Sequence, residues 1–361
     1  MFGLGRLGIS RTSGILNTAV IRSMNSSIHG RRAATLLLTA AILAGCSEPT
    51  AVPPGQQDNE TGIVAQDTPA WRRRAMLPTG RTSAEMAVVT DANGHTLFYV
   101  FGGADSTGFF GQLATVEAYD PATNAWSPKA PMPDGGRWGM SGSAVINGKV
   151  YLPGGWNGLL SSDGPQSDLF EYTPATDTWR TITGARQTAE GVSGVIGGQL
   201  YVLTGQDTEG PQGYLDRFDH ATETWTALPT APTEHFGASG GVIGGKFYIA
   251  GGANNAVGTH DQLDVYDPAT NIWTTKAPMP TARSSATGVV MNDKLYVIGS
   301  TVDIYDPATD SWSSVPGAPY TISSFAAASA MDAGGHWMTF VAGGIAANHF
   351  SHRTWVYDPS L

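Results

Sequence analysis

The 361-residue chain has a single cysteine, Cys46. That scarcity excludes a disulfide framework and leaves no pair of thiolates to ligate a metal. Charged residues make up only 14% of the chain, and no long block of one sign stands out after the N-terminal region. The sequence has no Gly-x-x-x-x-Gly-Lys phosphate loop and no Gly-x-Ser-x-Gly nucleophile elbow, so two common routes to hydrolytic chemistry are missing. His349 and His352 form a His-x-x-His pair without a third ligand in the sequence, and neither a metal nor a cofactor is expected. The apolar run from Leu36 to Ile42 is too short to cross a bilayer as a helix.

What the chain has in abundance is repetition. Tyr119-Asp120-Pro121-Ala122-Thr123-Asn124-Ala125-Trp126 returns as Tyr172 to Trp179, Phe218 to Trp225, Tyr266 to Trp273 and Tyr305 to Trp312, with a last Tyr357-Asp358-Pro359 at the C-terminus. Asp-Pro-Ala-Thr is turn chemistry: proline presets φ, and the Asp and Thr oxygens can bond nearby backbone N–H groups. The following Trp opens an outer strand and is large enough to fill the wedge between neighbouring sheets. Ahead of each phrase runs an apolar strand that ends in small residues, such as Leu97 to Gly103 or Phe247 to Gly252. Ahead of that lies another strand, joined to it by a two-residue turn such as Asn147-Gly148. Four short strands per unit, repeated at blade spacing, predict an all-β propeller.

These elements, a double glycine followed by Tyr and then Trp at set distances, resemble the kelch motif over residues 71 to 361. The resemblance implies a six-bladed β-propeller over residues 70–361. The last unit lacks its Trp, while Trp71 stands alone before Ala75-Met76-Leu77-Pro78, a stretch like those after the repeat tryptophans. The N-terminal segment is therefore expected to supply the outer strand of the sixth blade and so close the ring. Copper radical oxidases of the galactose oxidase type also use kelch-like blades, but they need a cysteine crosslinked to tyrosine, and Cys46 lies in the signal region.

Residues 1–46 read as a lipoprotein signal, with Met24 as an alternative start: Arg31-Arg32, the apolar run, then Leu43-Ala44-Gly45-Cys46. This resembles the bacterial lipobox, which implies acylation of Cys46 and a lipid-anchored protein of the cell envelope. Ser47 after the cysteine points to the outer membrane. Residues 47–69, rich in Pro, Gln, Asp and Thr, read as a flexible tether. Removing the signal leaves 15 basic against 30 acidic residues, a surface that repels nucleic acid. Contact with the membrane is expected through the lipid alone, and the protein is expected to be a monomer.

Candidate contacts cluster ahead of the inner strands, where a basic residue recurs as Arg81, Arg137, Arg186, His235 and Arg283. The resemblance to kelch proteins implies that they face the central cavity, where guanidinium groups grip carboxylates. Glu85 and Glu190 lie four residues past an arginine, on the same strand face, and Glu234 precedes His235. Glu190, Glu234 and His235 are thus the candidate acid–base residues. Trp138 and Trp156 fall outside the repeated Trp position and are candidate ligand contacts. The reading that follows is a binding module for a protein, peptide or glycan. The alternative is a periplasmic sugar isomerase, since kelch propellers of this size include sialic acid mutarotases, and ring opening needs an acid, a base and a cation for the carboxylate.

Overall fold

The computed structural model describes residue 68 and residues 70–105, 111–158, 164–318, 323–332, 334–346 and 349–361. Cys46, the signal segment and nearly all of the tether lie outside the described residues. The side chain of His349 is also outside them.

Six four-stranded antiparallel sheets make up the fold. Their inner strands are Glu85–Thr90, Ala144–Ile146, Val192–Ile196, Ser239–Ile243, Thr287–Met291 and Ala326–Met331. Neighbouring inner strands touch in cyclic order, and the sixth touches the first, so the blades surround a central channel. Apart from Glu85 and the methionines Met86, Met291 and Met331, the residues of these strands are small or β-branched, which lets six strands approach one axis.

Closure follows the expected route. Trp71–Arg73 pairs antiparallel with Thr354–Tyr357 as the outermost strand of the sixth sheet, with Trp71 opposite Tyr357. Their rings lie 4.9 Å apart, and Trp71 is only 2% exposed.

Between blades the packing is aromatic. Tyr99 and Phe101 of the first blade meet Phe170, Tyr172 and Trp179 of the second. Burying one such ring contributes about 2–3 kcal/mol. Four of the repeat tryptophans also bond to a neighbour: the indole N–H of Trp126 reaches Ala75 O at 2.8 Å, that of Trp179 Ala130 O at 2.9 Å, that of Trp273 Pro229 O at 2.7 Å and that of Trp312 Ala277 O at 2.8 Å. The repeated Tyr caps its own turn, as Tyr119 does by donating to Asn124 Oδ1 at 2.7 Å. Asp120 accepts from Ala122 N and Thr123 Oγ1, the turn chemistry expected of Asp-Pro-Ala-Thr.

The double glycine lets one blade touch the next. Gly103 N donates to Arg137 O at 2.8 Å. Gly102 sits at φ 57, where an added Cβ would fall 2.3 Å from that same oxygen. Only glycine allows the approach.

Candidate functional site

At one mouth of the channel, six residues, one ahead of each inner strand, close a ring of backbone hydrogen bonds around the axis. Ser83 N donates to Ser324 O, Gly139 N to Ser83 O, Glu190 N to Gly139 O, Gly237 N to Glu190 O, Ser285 N to Gly237 O and Ser324 N to Ser285 O, over 2.7–3.1 Å. All six residues have positive φ, between 49 and 65. Left-handed backbone is unfavourable for serine and glutamate, so the four non-glycine members are held there by the ring itself.

Ser83, Ser285, Ser324 and Glu190 carry the side chains of this ring, all half-buried. A methyl group placed on Gly139 would lie 3.2 Å from Glu190 Oε1, and one on Gly237 would lie 3.7 Å from its Oε2. The carboxylate therefore lies between its two ring neighbours. Burial pushes Glu190 up to about 7. Glu85, two residues past Ser83, is pushed up to about 8, first by burial and further by the charge of Glu190, although a hydrogen bond from Gly142 opposes the shift. Two carboxyl groups thus share the channel mouth and change charge near neutral pH.

Around this ring stand short ribbons that follow the double glycines. Ala104–Asp105 pairs with Gly111–Gln112, Gln206–Asp207 with Gly210–Pro211, Ala253–Asn254 with Gly258–Thr259 and Ile345–Ala346 with His349–Phe350. In the second blade, Trp156 bridges to Trp138 and Pro165. The fifth blade departs, since Lys294–Ile298 passes through Gly299-Ser300 directly into Thr301–Asp306. The rim is notched there.

The recurrent cations are placed differently from expectation. Arg81 is fully buried and bonds Glu117, Gly102 O and Thr115 O within its own blade. Arg137, 1% exposed, lies over the Phe170 ring at 4.8 Å and near Asp134 and Asp168 at 3.6 and 3.5 Å. Arg283 pairs with Asp303 at 2.5 Å, and fully buried His235 with Asp264 at 3.1 Å. These four brace their blades rather than line the cavity. Arg186 stands outside the series, because Thr188 fills the equivalent buried position. Arg186 itself is 39% exposed, stacks on Tyr214 and pairs with Asp216 beside a small recess between the second and third blades. The expected pairs Arg81 with Glu85 and Arg186 with Glu190 are not formed; the arginines take Glu117 and Asp216 instead.

Trp138 is 5% exposed and stacks on half-buried Trp156 at 5.7 Å, so the two indoles support each other under the rim. Glu234 accepts a hydrogen bond from Asn255 N at 3.1 Å, a loop brace. Of the residues expected to act, the structure brings Glu190 alone to the axis, with Glu85 and the ring serines beside it. The acid partners of the cations had a readable signal, because an apolar residue followed by an acid recurs as Val116-Glu117, Leu215-Asp216, Leu263-Asp264 and Val302-Asp303. Among the described residues, no group of three or more His, Cys, Asp or Glu could hold a metal ion.

Six four-stranded sheets with stitched double glycines and a closed axial ring define a six-bladed kelch-repeat β-propeller. The kelch motif matches residues 92–133, 137–184 and 235–280. The chain is 26% identical over 162 residues to Kelch-like protein terF of Aspergillus terreus, covering 42% of this chain and 34% of that one. It is 29% identical over 134 residues to Beta-scruin of Limulus polyphemus, covering 34% and 13%. It is also 29% identical over 137 residues to N-acetylneuraminate epimerase of Pasteurella multocida, covering 37% and 33%. The chain thus spans about a third or less of the length of the curated relatives it matches. The solved structure of YjhT shares the fold, with a TM-score of 0.62 at 18% identity over 79% of this chain and 95% of that one.

Proposed function

We propose that this protein is an envelope-anchored binding module that offers its ring and rim loops to a protein, peptide or glycan. One observation carries the choice: the recurrent basic residues Arg81, Arg137, His235 and Arg283 pair with acids inside their blades, and the ionisable groups at the ring are the carboxyls of Glu190 and Glu85. A ligand that enters there meets carboxyl groups that ionise near neutrality, so an uncharged or basic group fits and an anionic one is repelled once they are charged. An array of defined peptides tests this. Lysine-containing peptides should bind, and Glu190→Gln should weaken them at least tenfold; binding confined to acidic peptides overturns the reading.

The second reading, an isomerase of sugar acids, has one observation in its favour. Two carboxyls that titrate near neutrality can give and take a proton. Against it stands the absence, among the described residues at the ring, of a cation to hold the substrate carboxylate. Exchange spectroscopy on N-acetylneuraminate decides, because acceleration over buffer that Glu190→Gln abolishes would establish catalysis.

Anchoring rests on the sequence around Cys46. Cys46→Ser should move the protein from the membrane fraction to the soluble periplasm. Retention of the variant in the membrane would remove lipid attachment from the proposal.

A further inference from the structure

Blade four builds its rim on two touching imidazoles. His235, fully buried, directs Nδ1 at Gly251 O at 2.7 Å and Nε2 at Asp264 Oδ2 at 3.1 Å. Both ring nitrogens thus face a polar partner, one a backbone carbonyl and the other a buried carboxylate group. Burial opposes ionisation of Asp264, but its hydrogen bonds from His235 and Thr275 outweigh this and hold it below the usual carboxylate range. The His235 ring is thus fixed in place.

His260 packs against it, with ring centroids 5.3 Å apart and an interplanar angle of 64°. It is 8% exposed, and its Nε2–H donates to Glu234 O at 3.0 Å. Its other nitrogen, Nδ1, is buried and has no hydrogen-bond partner among the described residues. A neutral ring tolerates that, because Nδ1 then carries only a lone pair. A proton there would be a buried N–H without an acceptor, on a charged ring packed out of water.

The residue also carries chain connections. His260 N donates to Gly252 O at 3.0 Å and closes the foot of the rim ribbon Ala253–Asn254 and Gly258–Thr259. Its own carbonyl accepts from Arg283 N at 3.2 Å, which ties in the segment leading to blade five. Blade five, next along the rim, passes from Lys294–Ile298 directly into Thr301–Asp306 without a ribbon, so this foot is the last rim support before the notch.

We propose that His260 is a pH-sensitive latch that holds the blade-four rim ribbon at neutral pH and releases it on acidification. The charged and titratable groups facing it are His235, Asp264 and Asp261, with Glu234 meeting it through the backbone carbonyl. Burial is the largest influence and lowers the proton affinity of His260; the Glu234 hydrogen bond opposes this, His235 adds to it, and the two aspartates offset part. The folded protein therefore binds this proton less readily than the unfolded chain. The latch is complete above the ordinary histidine range near 6.5 and weakens as pH falls below it. The inference is independent of which ligand the rim takes.

Hydrogen exchange on the full chain at pH 7.5 and pH 5, corrected for intrinsic rates, tests the latch. Amide protection at His260 and Arg283 should fall at least tenfold at the lower pH relative to the strand Leu97 to Phe101. His260→Gln, which keeps a side-chain N–H but cannot gain a proton, should abolish that difference. Should the variant not fold, an NMR titration of the wild-type His260 ring decides. A midpoint below 6.5 supports the latch; a midpoint at or above it, or an unchanged difference in His260→Gln, overturns it.

Discussion

Glu190 leans across the axial ring onto Gly139, so close that a methyl group on the glycine would lie 3.0 Å from Cγ of the glutamate. A side chain with any bulk at position 139 would displace the carboxyl. The folded state holds the Glu190 proton more tightly than the unfolded chain, since its ionisation is raised from 4.5 to about 7. The stabilisation is therefore complete below pH 4.5 and is lost as pH rises through about 7. Glu190→Gln should leave the melting temperature unchanged near pH 4.5 and raise it at pH 8 by the equivalent of ~1–2 kcal/mol. Thermal melts at the two pH values check the sign. In the same variant Glu85 should titrate lower, because one of the influences raising it is gone.

Arg81 and Glu117 form a buried pair that the sixth repeat replaces as a unit, with Ile322 and Trp355 at the corresponding positions. Removing one member of a buried pair strands the other charge. Arg81→Ile should cost about 3–5 kcal/mol in urea unfolding, and the double variant Arg81→Ile with Glu117→Trp should recover more than half of that loss. No recovery would mean that the pair is more than a local brace.

The architecture was legible because each repeated residue meets a demand that recurs in every blade. Trp126, Tyr119 and Gly102 solve packing, turn and close-approach problems that their counterparts solve again. The site was less legible for the same reason. A recurring cation such as Arg81 suggested a ring of binding groups, yet recurrence is what a blade-internal brace also produces. Its partner Glu117 sits 36 residues away, and only the sheet brings the two together. The axial ring is made of backbone, which the sequence records merely as small residues at Ser83, Gly139, Gly237, Ser285 and Ser324. Glu190 was visible as an acid, but its neighbours Gly139 and Gly237 are non-local.

Gly102 and Gly148 both have positive φ, at 57 and 74, but they differ in surroundings. Alanine at Gly148, in an open hairpin turn with nothing near its Cβ, should cost only the left-handed backbone penalty of ~1 kcal/mol. Alanine at Gly102 adds a clash with Arg137 O at 2.3 Å and should cost ~3 kcal/mol or more in chemical denaturation. Equal losses at the two sites would show that blade stitching contributes little.

Trp71 is the largest side chain on the strand that closes the ring, and it is buried against Tyr357 within a cluster that includes Val341 and Trp355. Trp71→Ala leaves a cavity at the junction of the chain ends and should cost about 3–5 kcal/mol. Deleting residues 71–79 goes further, since it exposes the edge of Thr354–Tyr357 and removes Leu77, whose N–H donates to His352 O at 2.7 Å. An open sheet edge can pair with another molecule. The deletion should therefore lower the melting temperature by more than ten degrees, on the order of the loss of one blade's outer strand, and should also cause concentration-dependent aggregation. Calorimetry with light scattering reads both effects. A deletion variant that melts like the intact chain and stays monomeric would show that the ring holds without its N-terminal strand.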